Sequence, residues 1–419
     1  MGTLVLLCPL FSNASVYDVN GDGAVTSADV TALYDYMLTG DNTYAATLDV
    51  DGDGAITSAD ITAIYNVLLI GEPLPERLVG GDISMLPRYE AAGAIYKDNN
   101  GNTISNILSY FGEQGWNAMR VRLFVNPANA PASAVAEGVC QDLAYVKALG
   151  KRIKDAGYVL VLDLHYSDTW ADPSKQFIPN DWLQTDSVAL PDTLYQYTRR
   201  CLQAMVKAGC APELIQVGNE ITFGMLWPKA KVDPLKPERW PYLCQLLKSG
   251  VKVCREVCPE AKIIIHTEHA QDSAATRAYY EKLAAFGVDY DIIGLSYYPM
   301  WHERLPILSE TLRMLEREFP QKPVMIVETA FYYSHENDPW AKPSQYSEYY
   351  PISIEGQRQF TAELVSELNR HRNVTGLFWW FPEENGYKNT VTKGWLNRGL
   401  FDNRTGRALP ALREMKKFW

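Results

Sequence analysis

Long apolar runs are missing from this 419-residue sequence: no stretch nears the roughly eighteen residues a membrane-spanning helix needs. Its seven cysteines, Cys8, Cys140, Cys201, Cys210, Cys244, Cys254 and Cys258, form no CxxC pair. That spacing speaks against a zinc ribbon, and the thiols read as small buried hydrophobes. A glycine-rich phosphate turn is also lacking, since Gly80-Gly81-Asp82 after the first apolar run is too sparse. Residues 1–71 contain no Lys, Arg or Glu but nine Asp, and so carry −9 of the total −11. The remaining 348 residues balance 39 basic against 41 acidic side chains. A near-neutral body with an acidic head argues against nucleic-acid binding, which needs a basic face. Such a head suits cations.

Apolar residues make up 47%, enough for a large core, and the 11 Trp and 25 Tyr suit a surface that stacks on sugars. Leu4 to Leu10 resembles a short signal h-region, and Ser12-Asn13-Ala14 a cleavage site, although no basic residue precedes them. Residues 1–15 are therefore expected to be a signal or leader remnant, and the protein to be bacterial and secreted or attached to the cell surface.

The acidic head contains a duplication. Asp18, Asn20, Asp22, Ala24, Thr26 and Asp29 recur 31 residues later as Asp49, Asp51, Asp53, Ala55, Thr57 and Asp60. They occupy loop positions 1, 3, 5, 7, 9 and 12, with a backbone carbonyl offered at position 7 and a glycine at position 6 for the sharp turn. This is the oxygen-ligand pattern of a calcium loop, and without an ion its carboxylates would repel one another. Each loop runs into a helical pattern, Val30 to Leu38 and Ile61 to Leu69. No entering helix precedes Asp18, and position 12 is Asp rather than Glu, unlike an EF-hand. Loop plus exit helix, duplicated over residues 16–70, resembles a type I dockerin. The resemblance implies a small all-α module, two Ca²⁺ ions and docking onto a cohesin-type scaffold partner, with Ser27-Ala28 and Ser58-Ala59 at the partner-choosing positions. A purely structural calcium module is the alternative.

Gly71 to Arg77 reads as a linker, and residues 78–419 as the catalytic body. Eight short apolar runs follow: Leu78–Ser84, Trp116–Val125, Val159–His165, Leu214–Glu220, Lys262–His266, Ile292–Tyr298, Val324–Glu328 and Val374–Trp380. They are continuous rather than alternating, as parallel strands covered on both faces require. Amphipathic stretches separate them, among them Asp142–Ala156, Thr193–Lys207, Leu305–Phe319 and Gly356–Arg370. Eight such units predict an α/β fold, the (β/α)₈ TIM barrel; an open doubly wound sheet is the runner-up. Polar residues gather where the runs end: Arg120, Arg122, Asp163, His165, Asn219, Glu220, His266, Ser296, Tyr298, Glu328 and Trp380. A barrel carries its active site on that rim.

Glu220 ends the fourth run and Glu328 the seventh. Two carboxyl groups suffice to cleave a glycosidic bond if their surroundings separate their pKa values. Asn219 could hydrogen-bond the sugar 2-hydroxyl. Asn219-Glu220 and Glu328 look like the clan A glycosidases. More narrowly, the body resembles the arabinogalactan endo-β-1,4-galactanases of glycoside hydrolase family 53. The matching stretches include Trp116 to Arg122, His165 to Pro173, Val217 to Ile221, Gly224 to Pro228, Ser296 to Pro299, Val327 to Thr329 and Gly376 to Trp380.

The resemblance implies Glu220 as acid/base and Glu328 as nucleophile, with Arg120 holding Glu328 ionised and Tyr298 donating to it. His165, Asp168 and Trp170 would shape the cleft, and Trp380 would floor the central subsite. Trp227 and Trp301 are further stacking candidates, and Tyr297 points the other way. The chemistry itself requires no cofactor. The implied activity is retaining endo-hydrolysis of β-1,4-galactan. A mannanase or cellulase of the same clan is the nearest alternative, and a non-catalytic calcium-dependent glycan-binding protein the more distant one. Two features depart from simple expectation. Trp380-Phe381-Pro382 stands where the family often has Trp-Glu-Pro, followed here by Glu383-Glu384. His266-Thr267-Glu268-His269 looks like a metal cluster but fits sugar binding or packing better.

Overall fold

The computed structural model describes residues 17–22, 25–40, 43–44, 48–51, 54–70, 77–236, 239–336, 349–387 and 391–418. The leader expected at 1–15, residues 71–76 of the linker expected at 71–77, and the ligand candidates Ala24 and Asp53 lie outside them. The chain divides into two compact units, Met1–Pro75 and Glu76–Trp419.

In the first unit, helices α1 (Ser27–Thr39) and α2 (Ser58–Ile70) pack together. Their core repeats with the sequence: Val19, Val30 and Leu33 answer Val50, Ile61 and Ile64, and all six are buried. Fully burying one such side chain contributes about 1.5–3 kcal/mol, so a small unit depends heavily on each. The start of each helix is fixed by its last loop carboxylate. Asp29 accepts from Thr26 N (2.8 Å) and Asn20 N (3.1 Å), and Asp60 from Thr57 N (2.8 Å) and Asp51 N (3.1 Å). The bonds from Thr26 N and Thr57 N cap the helix starts, and those from Asn20 N and Asp51 N tie each loop back to its helix.

The second unit is a closed barrel of eight parallel strands. They are β1 (Leu78–Asp82), β2 (Ala118–Leu123), β3 (Val159–Leu164), β4 (Leu214–Val217), β5 (Lys262–Thr267), β6 (Ile292–Ser296), β7 (Val324–Thr329) and β8 (Val374–Trp380). Each pairs with its neighbours in sequence, and β1 closes onto β8 through Leu78 to Asp82 against Gly376 to Trp380. Closure excludes the open doubly wound sheet.

The helices that follow the strands are α3 (Ile107–Glu113), α4 (Leu143–Asp155), α5 (Leu190–Lys207), α6 (Trp240–Val257), α7 (Ser273–Ala285), α8 (Leu305–Glu318), α9 (Ile354–Leu368) and α10 (Ala411–Met415). In α4, Asp142 caps the start by accepting from Tyr145 N, and Val146, Leu149 and Ile153 recur on the buried face. Ala118, Val161, Leu214, Ile264, Ile292, Met325, Val327 and Phe378 fill the barrel interior, so it is a packed core and not a pore.

Two details differ from the sequence reading. β4 stops at Val217, three residues before the expected Glu220. Gly218 takes φ +93° and Glu220 φ +47°, which turns the chain out of the strand at the rim. A two-residue hairpin, Gly224–Met225 with Ala230–Lys231, then follows, too short to leave a periodic signal. The six described cysteines are free thiols, five of them buried, and Cys8 lies outside the described residues.

Candidate active site

The rim of the barrel holds a buried network centred on Arg120. This side chain has zero exposure, which demands compensation for its charge. Its Nη1 pairs with Asp82 at 2.8 Å, and Nη2 lies 2.8 Å from Asp163, from Glu328 Oε1 and from Asn219 Oδ1. Burial works against the cation, but Asp163, Glu328 and Asp82 outweigh it and keep Arg120 charged. Asp82 also holds Arg122 at 2.8 Å. The Arg122 guanidinium lies 4.8 Å above the Trp170 ring and 5.8 Å from that of Trp380. Burial raises the pKa of Asp163, yet Arg120 and His165 together hold it below its ordinary value. His165 Nδ1 accepts from Ala171 N at 3.2 Å, which leaves its Nε2–H to donate to Asp163 at 2.9 Å.

The two acids have unlike surroundings. Glu328 is 6% exposed and receives Arg120 on Oε1 and the Tyr298 hydroxyl on Oε2 at 2.9 Å. Burial still raises its carboxyl above the ordinary value, with Arg120 and Tyr298 pulling it back. Among the described residues no cation pairs with Glu220. Its Oε1 accepts from Ser296 Oγ at 2.7 Å, and burial, reinforced by the charge on Glu328, pushes its carboxyl well above the ordinary range. Behind Ser296 stands His266, whose Nε2 is 2.8 Å from Ser296 Oγ and whose Nδ1 accepts from Glu220 N at 3.3 Å. Burial and Arg120 hold His266 neutral, so its Nε2–H points at Ser296 and directs that hydroxyl proton onto Glu220.

Both acids line one cleft with His165, Trp170, Asn219, Tyr298, Trp301 and Trp380. Asn219 is held from two sides: its Oδ1 accepts from Arg120 and Gln216, and its Nδ2 donates to Ala171 O at 2.8 Å. One N–H remains for a ligand. Asp168 and Trp227 are not part of this lining. Asp168 binds the loop backbone at Asn126 N and Asn180 N, so it shapes the cleft from behind. Trp227 donates to Phe223 O, and Lys231 Nζ covers its face at 3.9 Å. Tyr297 points away, donating to Glu303 O at 2.9 Å. Glu268 takes the Thr222 hydroxyl and sits 3.4 Å from His269 Nε2, an arrangement of packing and ion pairing.

A larger concavity of about 760 Å³ lies at Glu90, Asn106, Asn117, Arg152 and Tyr158. It sits where the strands begin, and its two acids, Glu90 and Asp155, are exposed and ion-paired with Arg152 and Lys151, so size does not mark the site here.

Residues 78–415 match the family model described as glycosyl hydrolase family 53, and residues 16–69 that of the dockerin type I domain. The chain belongs to glycosyl hydrolase family 53. It is a glycoside hydrolase with an N-terminal type I dockerin domain. A probable arabinogalactan endo-β-1,4-galactanase A of Neosartorya fischeri is 34% identical over 315 residues, covering 72% of this chain and 83% of the relative. The endo-β-1,4-galactanase of Bacillus subtilis is 30% identical over 308 residues, covering 72% of this chain and 69% of that one. The Ignisphaera aggregans family 53 catalytic domain superposes with a TM-score of 0.74 at 27% identity, covering 83% of this chain and 99% of that domain.

Several residues of this family 53 cleft escape the sequence reading. Asp172, Trp395 and Arg398 line it, the last two on the loop after β8. Loops after barrel strands carry function, so a Trp and an Arg in that loop were the available signal. Glu383 and Glu384, conspicuous in sequence, are buried and outside the lining. Glu384 instead accepts from the backbone N–H groups of Asn397, Arg398 and Gly399 at 2.8–3.0 Å. Phe381, in place of the family's usual Glu, packs against Tyr89 at 5.8 Å, and Trp380 keeps its place in the cleft.

In the dockerin domain, carboxylate oxygens of Asp49, Asp51 and Asp60 lie within 4.8 Å of one another. With no Lys or Arg in residues 1–71 to neutralise them, this oxygen set fits a hard cation.

Proposed function

We propose that this protein is a retaining endo-β-1,4-galactanase in which Glu220 is the acid/base and Glu328 the nucleophile. The observation that carries the reading is the asymmetry of two carboxyls lining one aromatic cleft: Glu328 paired with Arg120, and Glu220 with a raised pKa and no cation partner among the described residues. In the first step, protonated Glu220 gives its proton to the glycosidic oxygen as the C1–O bond breaks. Glu328, ionised, forms the bond to C1. In the second, Glu220 takes a proton from water as the water oxygen attacks C1 and the ester to Glu328 breaks. Retaining enzymes separate the two carboxyls by about 5–5.5 Å. Galactan as substrate follows the names of the relatives, several of which are called galactanases.

Hydrolysis of potato galactan with the β-anomer released first, read by NMR, is the expected result. Cleavage of mannan or cellulose without galactan would overturn the substrate reading. Glu328→Gln should abolish turnover, and Glu220→Gln should lower kcat by about 10²–10⁴-fold. Full activity in either would overturn the mechanism.

The dockerin domain is proposed to bind two Ca²⁺ through Asp18, Asn20, Asp22, Ala24, Thr26 and Asp29 in one loop, and Asp49, Asp51, Asp53, Ala55, Thr57 and Asp60 in the other. It would attach the enzyme to a cohesin-type partner outside the cell. The acidic cluster and the family match support this.

A further inference from the structure

Arg398 is a buried cation that the chemistry above does not use. It has zero exposure, and among the described residues none of Nε, Nη1 and Nη2 has a hydrogen-bond partner. Its guanidinium carbon instead faces four aromatic rings: Trp395 at 4.1 Å, Tyr332 at 5.1 Å, Trp380 at 5.6 Å and Trp301 at 5.8 Å. The three tryptophans line the cleft with it.

The backbone beneath is held firmly. Glu384 takes three consecutive N–H groups, and Trp379 Nε1 donates to Arg398 O at 2.8 Å. Trp395 and Asn397 are held at φ +61° and +60°, conformations that side-chain-bearing residues seldom adopt. A Cβ at Gly399 would meet Glu384 Cβ at 2.7 Å, so only glycine lets the chain come this close to its clamp. A strained, clamped segment that directs an unsatisfied set of donors at a cleft is more than packing requires.

We propose that Arg398 is a substrate-binding residue whose N–H fork donates to the hydroxyl edge of a neutral pyranose on the Glu328 side of the cleft. The neighbouring indole rings would take the sugar's C–H face. The Glu328 side follows from Trp301, which lies beside Arg398 and packs on Tyr298 at 5.1 Å, the residue that donates to Glu328. Trp301 is half-exposed, and its rotation would open the fork to the cleft. A neutral sugar fits better than an acidic one. The aromatic faces already balance the positive charge, and a uronate carboxylate would share the cleft with Glu328. The inference rests on the galactanase reading and deepens it.

The test uses the full chain in a Glu220→Gln background, where Glu328 keeps its charge and turnover is slow enough for binding to be measured. Calorimetry compares β-1,4-galactotetraose with tetragalacturonate for Arg398, Arg398→Met and Arg398→Lys. Arg398→Met should weaken galactotetraose by at least about tenfold, the worth of a charged hydrogen bond, and Arg398→Lys should recover part of the loss. Unchanged affinity in Arg398→Met would overturn the proposal. So would tighter binding of the acidic tetramer. An equal loss in both variants with a shared change in the near-UV signal of the tryptophans would assign Arg398 to ring packing alone, which also overturns it. If wild-type protein cleaves mannan or cellulose and not galactan, the substrate reading fails separately. The same comparison with the matching neutral tetramer then still decides Arg398.

Discussion

A single hydroxyl tempers the difference that burial and charge set up between the two acids. Ser296 donates to Glu220 and is itself oriented by neutral His266. That bond favours the ionised form of Glu220, so losing it raises a carboxyl already lifted by burial and by Glu328. In the proposed mechanism activity needs Glu220 protonated, and the alkaline limb of kcat/KM against pH would report its titration in the free enzyme. Ser296→Ala should therefore move that limb to higher pH. The acid limb, set by Glu328 beside Arg120, should stay where it is. An alkaline limb that stays put or moves down would show that Ser296 does not tune Glu220.

At the scale of elements, the loop after β8 depends on one carboxylate. Glu384 accepts from three successive backbone N–H groups and from Asn403 Nδ2 at 2.6 Å, without contributing to the lining. Glu384→Gln keeps the shape but turns an amide NH₂ toward N–H donors, leaving buried groups unsatisfied. A loss of about 1–3 kcal/mol in unfolding free energy is expected. Denaturant titration would read it, and the loosened Trp395–Arg398 segment should also lower kcat/KM on galactan. Unaltered stability would mean that the clamp is dispensable. Strand direction decides elsewhere: consecutive residues just past β6 diverge, Tyr298 to Glu328 and Tyr297 to the backbone at Glu303. That alternation was readable in advance, because successive residues of an extended chain face opposite ways.

For the whole molecule, the charge distribution places the proposed ion sites and the proposed catalytic pair in different parts of the chain. The acidic loops lie in residues 18–60 and the proposed catalytic pair at 220 and 328. Chelating calcium from the full chain should diminish the helical circular dichroism contributed by α1 and α2 and leave the rate on galactan unchanged. Loss of hydrolysis on chelation would contradict this division.

The barrel, its eight strands and the rim of polar residues were legible because they rest on short-range regularities. Continuous apolar runs, helical spacing and a 31-residue repeat are written along the chain. The acid pair was legible because glutamates at two strand ends stand out in apolar surroundings. What the sequence could not determine was where long side chains and irregular loops meet. Asp168 turned out to brace loops, Trp227 to lie beside the cleft, and Arg398 to enter it. Those outcomes depend on contacts between segments distant in sequence, made where the backbone leaves regular structure, and only closure of the barrel brings such segments together.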